Sequence, residues 1–152
     1  MCALCAVCGN TITLEIMAGH LLDESGICTV CFEYIPCEII NDTNHPFAEL
    51  NGVLTSTNKA HKSSSIYAIQ ANVNVTITFE YNVSSESNYD KFYIYHNDTE
   101  KVVKSGTSNS YTSYTITLVA GDTLTFKYTK DSSNSQGDDC CYIKDLVVTP
   151  IE

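Results

Sequence analysis

The chain has 152 residues, with eight Lys, eighteen acids, no Arg and a formal charge of −10. That balance leaves few cations for the phosphate contacts of nucleic-acid binding, and no run of about twenty apolar residues offers a membrane-spanning helix. A hydrophobic content of 43% still suffices for a packed core, so an acidic disordered tail is excluded. Met1-Cys2-Ala3-Leu4-Cys5 has neither a positive n-region nor a long apolar stretch after it. The expectation is therefore synthesis in a reducing cytoplasm without a signal peptide.

In chain order, the first segment is Cys-rich and wholly acidic. Six of the eight cysteines lie in it: Cys2, Cys5, Cys8, Cys28, Cys31 and Cys37. Residues 1–58 hold seven acids and no Lys. Cys5-Ala6-Val7-Cys8-Gly9 and Cys28-Thr29-Val30-Cys31 are two C-x2-C pairs with nineteen residues between them. Two thiolates on one tight turn point the same way, and two such turns facing each other make a tetrahedral zinc site. Gly9 permits the sharp turn; Ile12, Leu14 and Ile16 alternate as a strand, and Asp23-Glu24-Ser25-Gly26 reads as a turn. Together these residues resemble a zinc ribbon over residues 1–42, with Cys5, Cys8, Cys28 and Cys31 as ligands of a structural zinc. The alternative is a disulfide-stapled secreted head, since Cys2 and Cys37 make the local count even. Under the zinc reading Cys2 and Cys37 are spare thiols or alternates at the metal, and His20 or His45 could replace a Cys.

The cluster Asn41 to Pro46 marks a domain boundary, with a body over 43–152. Phe47 to Thr55 reads as a strand, Asn58 to Ser65 as a polar loop within the body, and Ser65 to Ala71 as another strand. Val73, Val75, Ile77, Phe79, Tyr81 and Val83 alternate with polar residues at period two. Phe92 to His96, Lys101 to Ser105, Tyr114 to Leu118, Leu124 to Tyr128 and Tyr142 to Thr149 add further strands. Gly121-Asp122 reads as a tight hairpin turn. The chain is thus expected to be all-β, an antiparallel β-sandwich or jelly roll of about eight strands behind the small head, with no helix. In Cys140-Cys141, strand alternation predicts one thiol in the core and one outside.

The segments from Phe79 to Tyr95, with Tyr89-Asp90 entering a strand, and from Ala120 to Asp139, with Lys130-Asp131-Ser132 and a later Gly137, resemble CUB-like and MAM-like jelly-roll modules. Such modules occur in bacterial surface proteins, secreted adhesins and phage structural proteins, and the resemblance spans about residues 45 to 150. It implies a non-catalytic sandwich that binds proteins or glycans, sometimes with calcium at one edge. If that site carries over, its positions are Glu86, Asp90 and Asp131, oxygen ligands suited to a hard cation. The bland reading has Asp90 and Asp131 capping loops and Glu86 solvated; Asp138 and Asp139 add charge nearby.

No G-x-S-x-G, H-E-x-x-H or Gly-rich phosphate loop is present, so an enzyme is not expected. Of the tyrosines, Tyr93, Tyr95, Tyr111 and Tyr128 are candidates for stacking on a sugar, with half or more of them expected in the core. Three functions remain. The first is a structural protein with protein partners in an oligomeric assembly, such as a phage virion component with a zinc-stapled docking head. The second is a carbohydrate- or cell-surface-binding module acting through Tyr93 and Tyr95. The third is an extracellular filament subunit bridged by Cys2, Cys37 and Cys141.

Overall fold

The computed structural model describes residues 35–151, together with Asp23, Ile27 and Cys28. Ten strands follow in order: β1 (Cys37–Asn41), β2 (Ala48–Leu50), β3 (Val53–Thr55), β4 (Ser64–Ala71), β5 (Val75–Ser84), β6 (Lys91–His96), β7 (Thr99–Lys104), β8 (Thr112–Leu118), β9 (Thr123–Thr129) and β10 (Cys140–Pro150). They form two five-stranded antiparallel sheets, ordered β1-β4-β9-β6-β7 and β2-β3-β10-β5-β8. The described residues are all-β, without a helix, and the two sheets pack as a sandwich.

The period-two pattern decides which side of each strand is buried. Val75, Ile77, Phe79, Tyr81 and Val83 of β5 face inward, and the alternate residues Thr76, Thr78, Glu80 and Asn82 are exposed or half-buried. From the other sheet Leu124, Phe126 and Tyr128 of β9 and Phe92 and Ile94 of β6 meet them, all fully buried. Phe79 and Phe126 join the two sheets edge to face, with ring centroids 4.8 Å apart. Truncating such a core ring costs roughly 3–5 kcal/mol, so this row specifies the fold.

Several expectations need correction. Phe47 to Thr55 is not one strand but the hairpin β2–β3, because Asn51-Gly52 between them takes φ of 53° and 77°. Asn-Gly is the favoured pair for such a turn, since both positions need positive φ. Gly121-Asp122 does turn the chain, with Asp122 N donating to the Val119 carbonyl at 3.0 Å and Gly121 at φ 93°. It is not a hairpin, however: β8 pairs with β5 and β9 with β4 and β6, so the turn carries the chain from one sheet to the other. Strand β1, which composition groups with the acidic head, is paired over its whole length with β4, from Cys37 opposite Ala71 to Asn41 opposite Tyr67.

The cysteines also differ from expectation. Cys140 and Cys141 are both buried, not one inside and one outside. Burial pushes the thiol pKa of each upward. Cys37 is fully buried in the core cluster, and desolvation pushes its pKa up to about 12. Inter-chain bridges through Cys37 and Cys141 therefore fail, because neither sulfur reaches the surface. Cys28 is buried; Cys5, Cys8 and Cys31, with which it would complete the zinc set, lie outside the described residues.

Candidate functional site

Strands β6 and β9 are antiparallel neighbours, with Lys91 opposite Thr129. The residue before β6, Asp90, therefore lies beside the two that follow β9, Lys130 and Asp131. The inward parity of each strand continues past its end. Asp90 keeps step with Phe92 and Ile94, and Lys130 with Leu124, Phe126 and Tyr128, so both charged side chains point inward and are fully buried. Asp139, just before β10, closes the group.

Lys130 Nζ donates to Asp90 Oδ2 at 3.0 Å, to Ser135 Oγ at 3.3 Å and, in a very short contact, to Asp139 Oδ2. Tyr128 Oη donates to Asp139 Oδ1 at 3.3 Å. Burial opposes the charge on Lys130, but the carboxylates of Asp139 and Asp90 outweigh it and hold its pKa above the ordinary lysine value. Burial likewise opposes the charge on Asp139; hydrogen bonds, led by that of Lys130, overcome it and leave its pKa lowered. Asp139, which the sequence offers only as nearby charge, thus belongs to a buried ion pair.

The three acids Glu86, Asp90 and Asp131 come together here, each offering a carboxylate oxygen within 4.8 Å of the others. Asp90 Oδ1 accepts from Asp131 N at 2.8 Å, and Asp131 Oδ1 accepts from Ser133 N at 2.9 Å, so both acids also cap loops. Glu86 differs from the solvated residue of the bland reading. It is 7% exposed, its Oε1 receives only Asn134 Nδ2 at 3.5 Å, and its buried Oε2 has no partner.

A buried carboxylate oxygen without a donor is costly unless a cation neutralises it. Glu86, Asp90, Asp131 and Asp139 set four carboxylates against the single charge of Lys130. Oxygens on opposite sides of one calcium ion lie about 4.8 Å apart, twice a bond of roughly 2.4 Å, so the set fits calcium. Asn88, Asn134 and Asp139 in these loops take positive φ of 71°, 58° and 59°, a conformation that Asn and Asp accept more readily than other side chains.

The second feature is on the outer face of the first sheet. Tyr93 and Tyr95 of β6 alternate with buried Phe92 and Ile94, so they share the outward side. Their rings lie nearly parallel, 20° apart with centroids separated by 5.7 Å, and each is half-buried. Across β9 the partners are Lys127 for Tyr93 and Thr125 for Tyr95; across β7, Val103 faces Tyr93. Tyr111 is exposed, with Lys144 Nζ 4.5 Å above its ring. Tyr128 belongs to the core and is removed from the sugar-facing set.

Sequence reasoning missed Lys130 and Asp139. The signal was present, since extending the alternation of β9 by one step places Lys130 inward. Gly137 was read only as part of a motif. At φ 67° it lies where a Cβ would collide with the hydroxyls of Ser84 and Thr107, so it lets the β9–β10 loop close onto the end of β5.

The fold and these sites define an antiparallel jelly-roll sandwich with a polar loop end and an aromatic sheet face. No protein-family model and no curated protein sequence matches the chain. Among solved structures it is similar to the secreted serine protease VesC from Vibrio cholerae, at TM-score 0.60 and 17% identity over 74% of this chain and 24% of the protease. The match thus spans about a quarter of the protease, and at that identity it shows the fold alone. Two carbohydrate-binding modules are also similar in outline. For CBM35 from Cellvibrio japonicus Abf62 the TM-score is 0.40 and the identity 16%, over 74% of this chain and 84% of that one. A family 35 module from Clostridium thermocellum gives 0.36 and 13%, over 70% and 90%. At those scores neither carries an argument about this chain.

Proposed function

We propose that this chain is a non-catalytic β-sandwich module that binds carbohydrate through the outer face of its first sheet, with calcium tying the loop end together. The observation that carries the binding reading is the nearly parallel Tyr93–Tyr95 pair on that face. A sugar ring presents C–H groups to an aromatic face and hydroxyls to neighbouring polar groups, and Tyr offers both an apolar ring and a polar tip. Adjacent strands hold the two rings on a rigid support, which lowers the ordering cost of binding. Thr125 and Lys127 beside them supply hydrogen-bonding groups.

At the loop end Glu86, Asp90 and Asp131 would hold the calcium. A bound divalent ion supplies the positive charge that Lys130 alone does not, and it joins the β5–β6 loop to the β9–β10 loop. A module of this kind works where glycans are found, at the cell surface or outside the cell. A structural zinc at Cys5, Cys8, Cys28 and Cys31 stays part of the proposal on the strength of spacing alone; metal analysis of the purified protein, with one zinc per chain expected, tests it. Nothing among the described residues favours the virion-component reading over this one.

Affinity gel electrophoresis of the full chain through a panel of soluble polysaccharides tests the binding function. Retardation by at least one polysaccharide is expected, abolished in Tyr93→Ala and Tyr95→Ala while their thermal unfolding stays near that of the parent. Unretarded migration through every polysaccharide overturns the reading.

A further inference from the structure

The charge beside Tyr93 is opposite to that of the molecule. In a chain of net charge −10, four of the eight lysines lie on β6, β7 and β9; Lys91 and Lys127 flank Tyr93 on its own face, whereas Lys104 is opposite the inward Phe92 and the acid Glu100 is opposite Tyr95. Lys127 is directly opposite Tyr93, and Lys91 is two residues before it on the same side of β6. The other lysines are engaged elsewhere or lie away from this face. Lys130 is buried between Asp90 and Asp139, Lys144 pairs with Glu80 and Asp145, Lys59 caps the carbonyls of Asp138 and Asp139, and Lys62 is in the loop before β4. Among the described residues, none of the four on β6, β7 and β9 makes an ion pair.

We propose that the ligand of this face is an acidic glycan, a mostly neutral chain carrying uronate carboxylates at intervals. The inference rests on the carbohydrate reading and names the class of sugar. Neutral sugar rings stack on Tyr93 and Tyr95, while a carboxylate at the Tyr93 end is within the reach of the flexible Lys91 and Lys127 side chains. Unpaired lysines beside an aromatic platform also suit single-stranded nucleic acid, which stacks its bases in the same way. That polymer carries a phosphate at every nucleotide, and a body of net charge −10 repels it over its whole length. A sparsely charged glycan meets the local positive patch without that penalty.

The test uses the full chain at low ionic strength with calcium held constant. The probes are a xylo-oligosaccharide bearing a single glucuronate and its carboxyl-reduced counterpart, compared by isothermal titration calorimetry. A preference of about fivefold for the uronate form is expected from two exposed charge contacts, shrinking as salt is added. Lys127→Gln combined with Lys91→Gln should bring the ratio close to one, and Lys144→Gln on the opposite sheet should leave it unchanged. Equal affinity for the two probes overturns the acidic-glycan inference while leaving carbohydrate binding intact. Failure of both probes, together with every neutral polysaccharide, removes the carbohydrate reading and this inference with it. Tighter binding of dextran sulfate, which carries no carboxylate, than of the uronate probe overturns the carboxylate assignment, and tighter binding of oligothymidylate overturns the glycan altogether.

Discussion

Both ends of the β6–β9 pair carry an Asp-centred polar network, and the two ends differ in one respect. Beyond the C-terminal end of β6, Asp122 is fully served: its Oδ1 accepts from Asn97 Nδ2 at 3.0 Å, and its Oδ2 contacts His96 Nε2 at 2.9 Å and accepts from Val119 N at 3.1 Å. Asn97 Oδ1 in turn accepts from Thr123 N, so the network closes on itself. At the other end, four carboxylates meet one buried lysine, and the buried Glu86 Oε2 is left without a partner. A satisfied network explains itself as a cap that fixes two turns. An unsatisfied one leaves a buried carboxylate oxygen to be neutralised, and it is at this end that we propose calcium.

That contrast can be broken or sharpened experimentally, beginning with the largest expected effect. Lys130→Met removes the cation buried between Asp90 and Asp139 and leaves the two carboxylates together; urea unfolding should show a loss of roughly 3–5 kcal/mol. Calcium added at about a hundredfold excess over its Kd should raise the melting temperature by roughly 5–10 °C. Glu86→Gln should lose most of that rise and, in chelator, be no less stable than the parent, because it removes a buried charge. A calcium-insensitive parent protein would reduce this end to a cap like the other.

Gly137→Ala probes how closely the β9–β10 loop must approach β5. With positive φ and two hydroxyls in the way of a Cβ, it should cost roughly 2 kcal/mol, read by denaturant midpoint at unchanged m-value. The smallest effect belongs to the satisfied end. Hydrogen bonds from Asn97, His96 and Val119 lower the pKa of Asp122 to about 2, well below its unfolded value near 3.9. A depressed carboxylate stabilises the fold above its unfolded pKa and loses that contribution as pH falls through the folded one. Asp122→Asn should therefore melt below the parent at neutral pH, with the gap closing between about pH 4 and pH 2. A gap that stays constant over that window would show that the ionised form of Asp122 contributes nothing to the cap.

Alternation in the sequence was enough to determine most of the sandwich. The rows of β5, β6 and β9 announced which side of each strand is buried, because a strand presents successive side chains to opposite faces whatever its neighbours are. Which of the candidate tyrosines point outward stays open at the level of sequence, and the structure separates Tyr93 and Tyr95 from the buried Tyr128. The three acids Glu86, Asp90 and Asp131 were legible only through a family resemblance, since nothing local relates positions 86, 90 and 131.

Tertiary structure alone decided the rest. Pairing of β6 with β9 brings Asp90 and Lys130 side by side across forty residues of chain. The allocation of β8 and β9 to different sheets turned an apparent hairpin into a crossover, because a turn dictates reversal of the chain but not which strand it will pair with. Cys140, expected outside if Cys141 lay inside, is buried as well, which the period-two rule does not foresee. The unpartnered oxygen of Glu86 depends on which donors surround it in space. Those surroundings exist only once distant segments have been folded against one another.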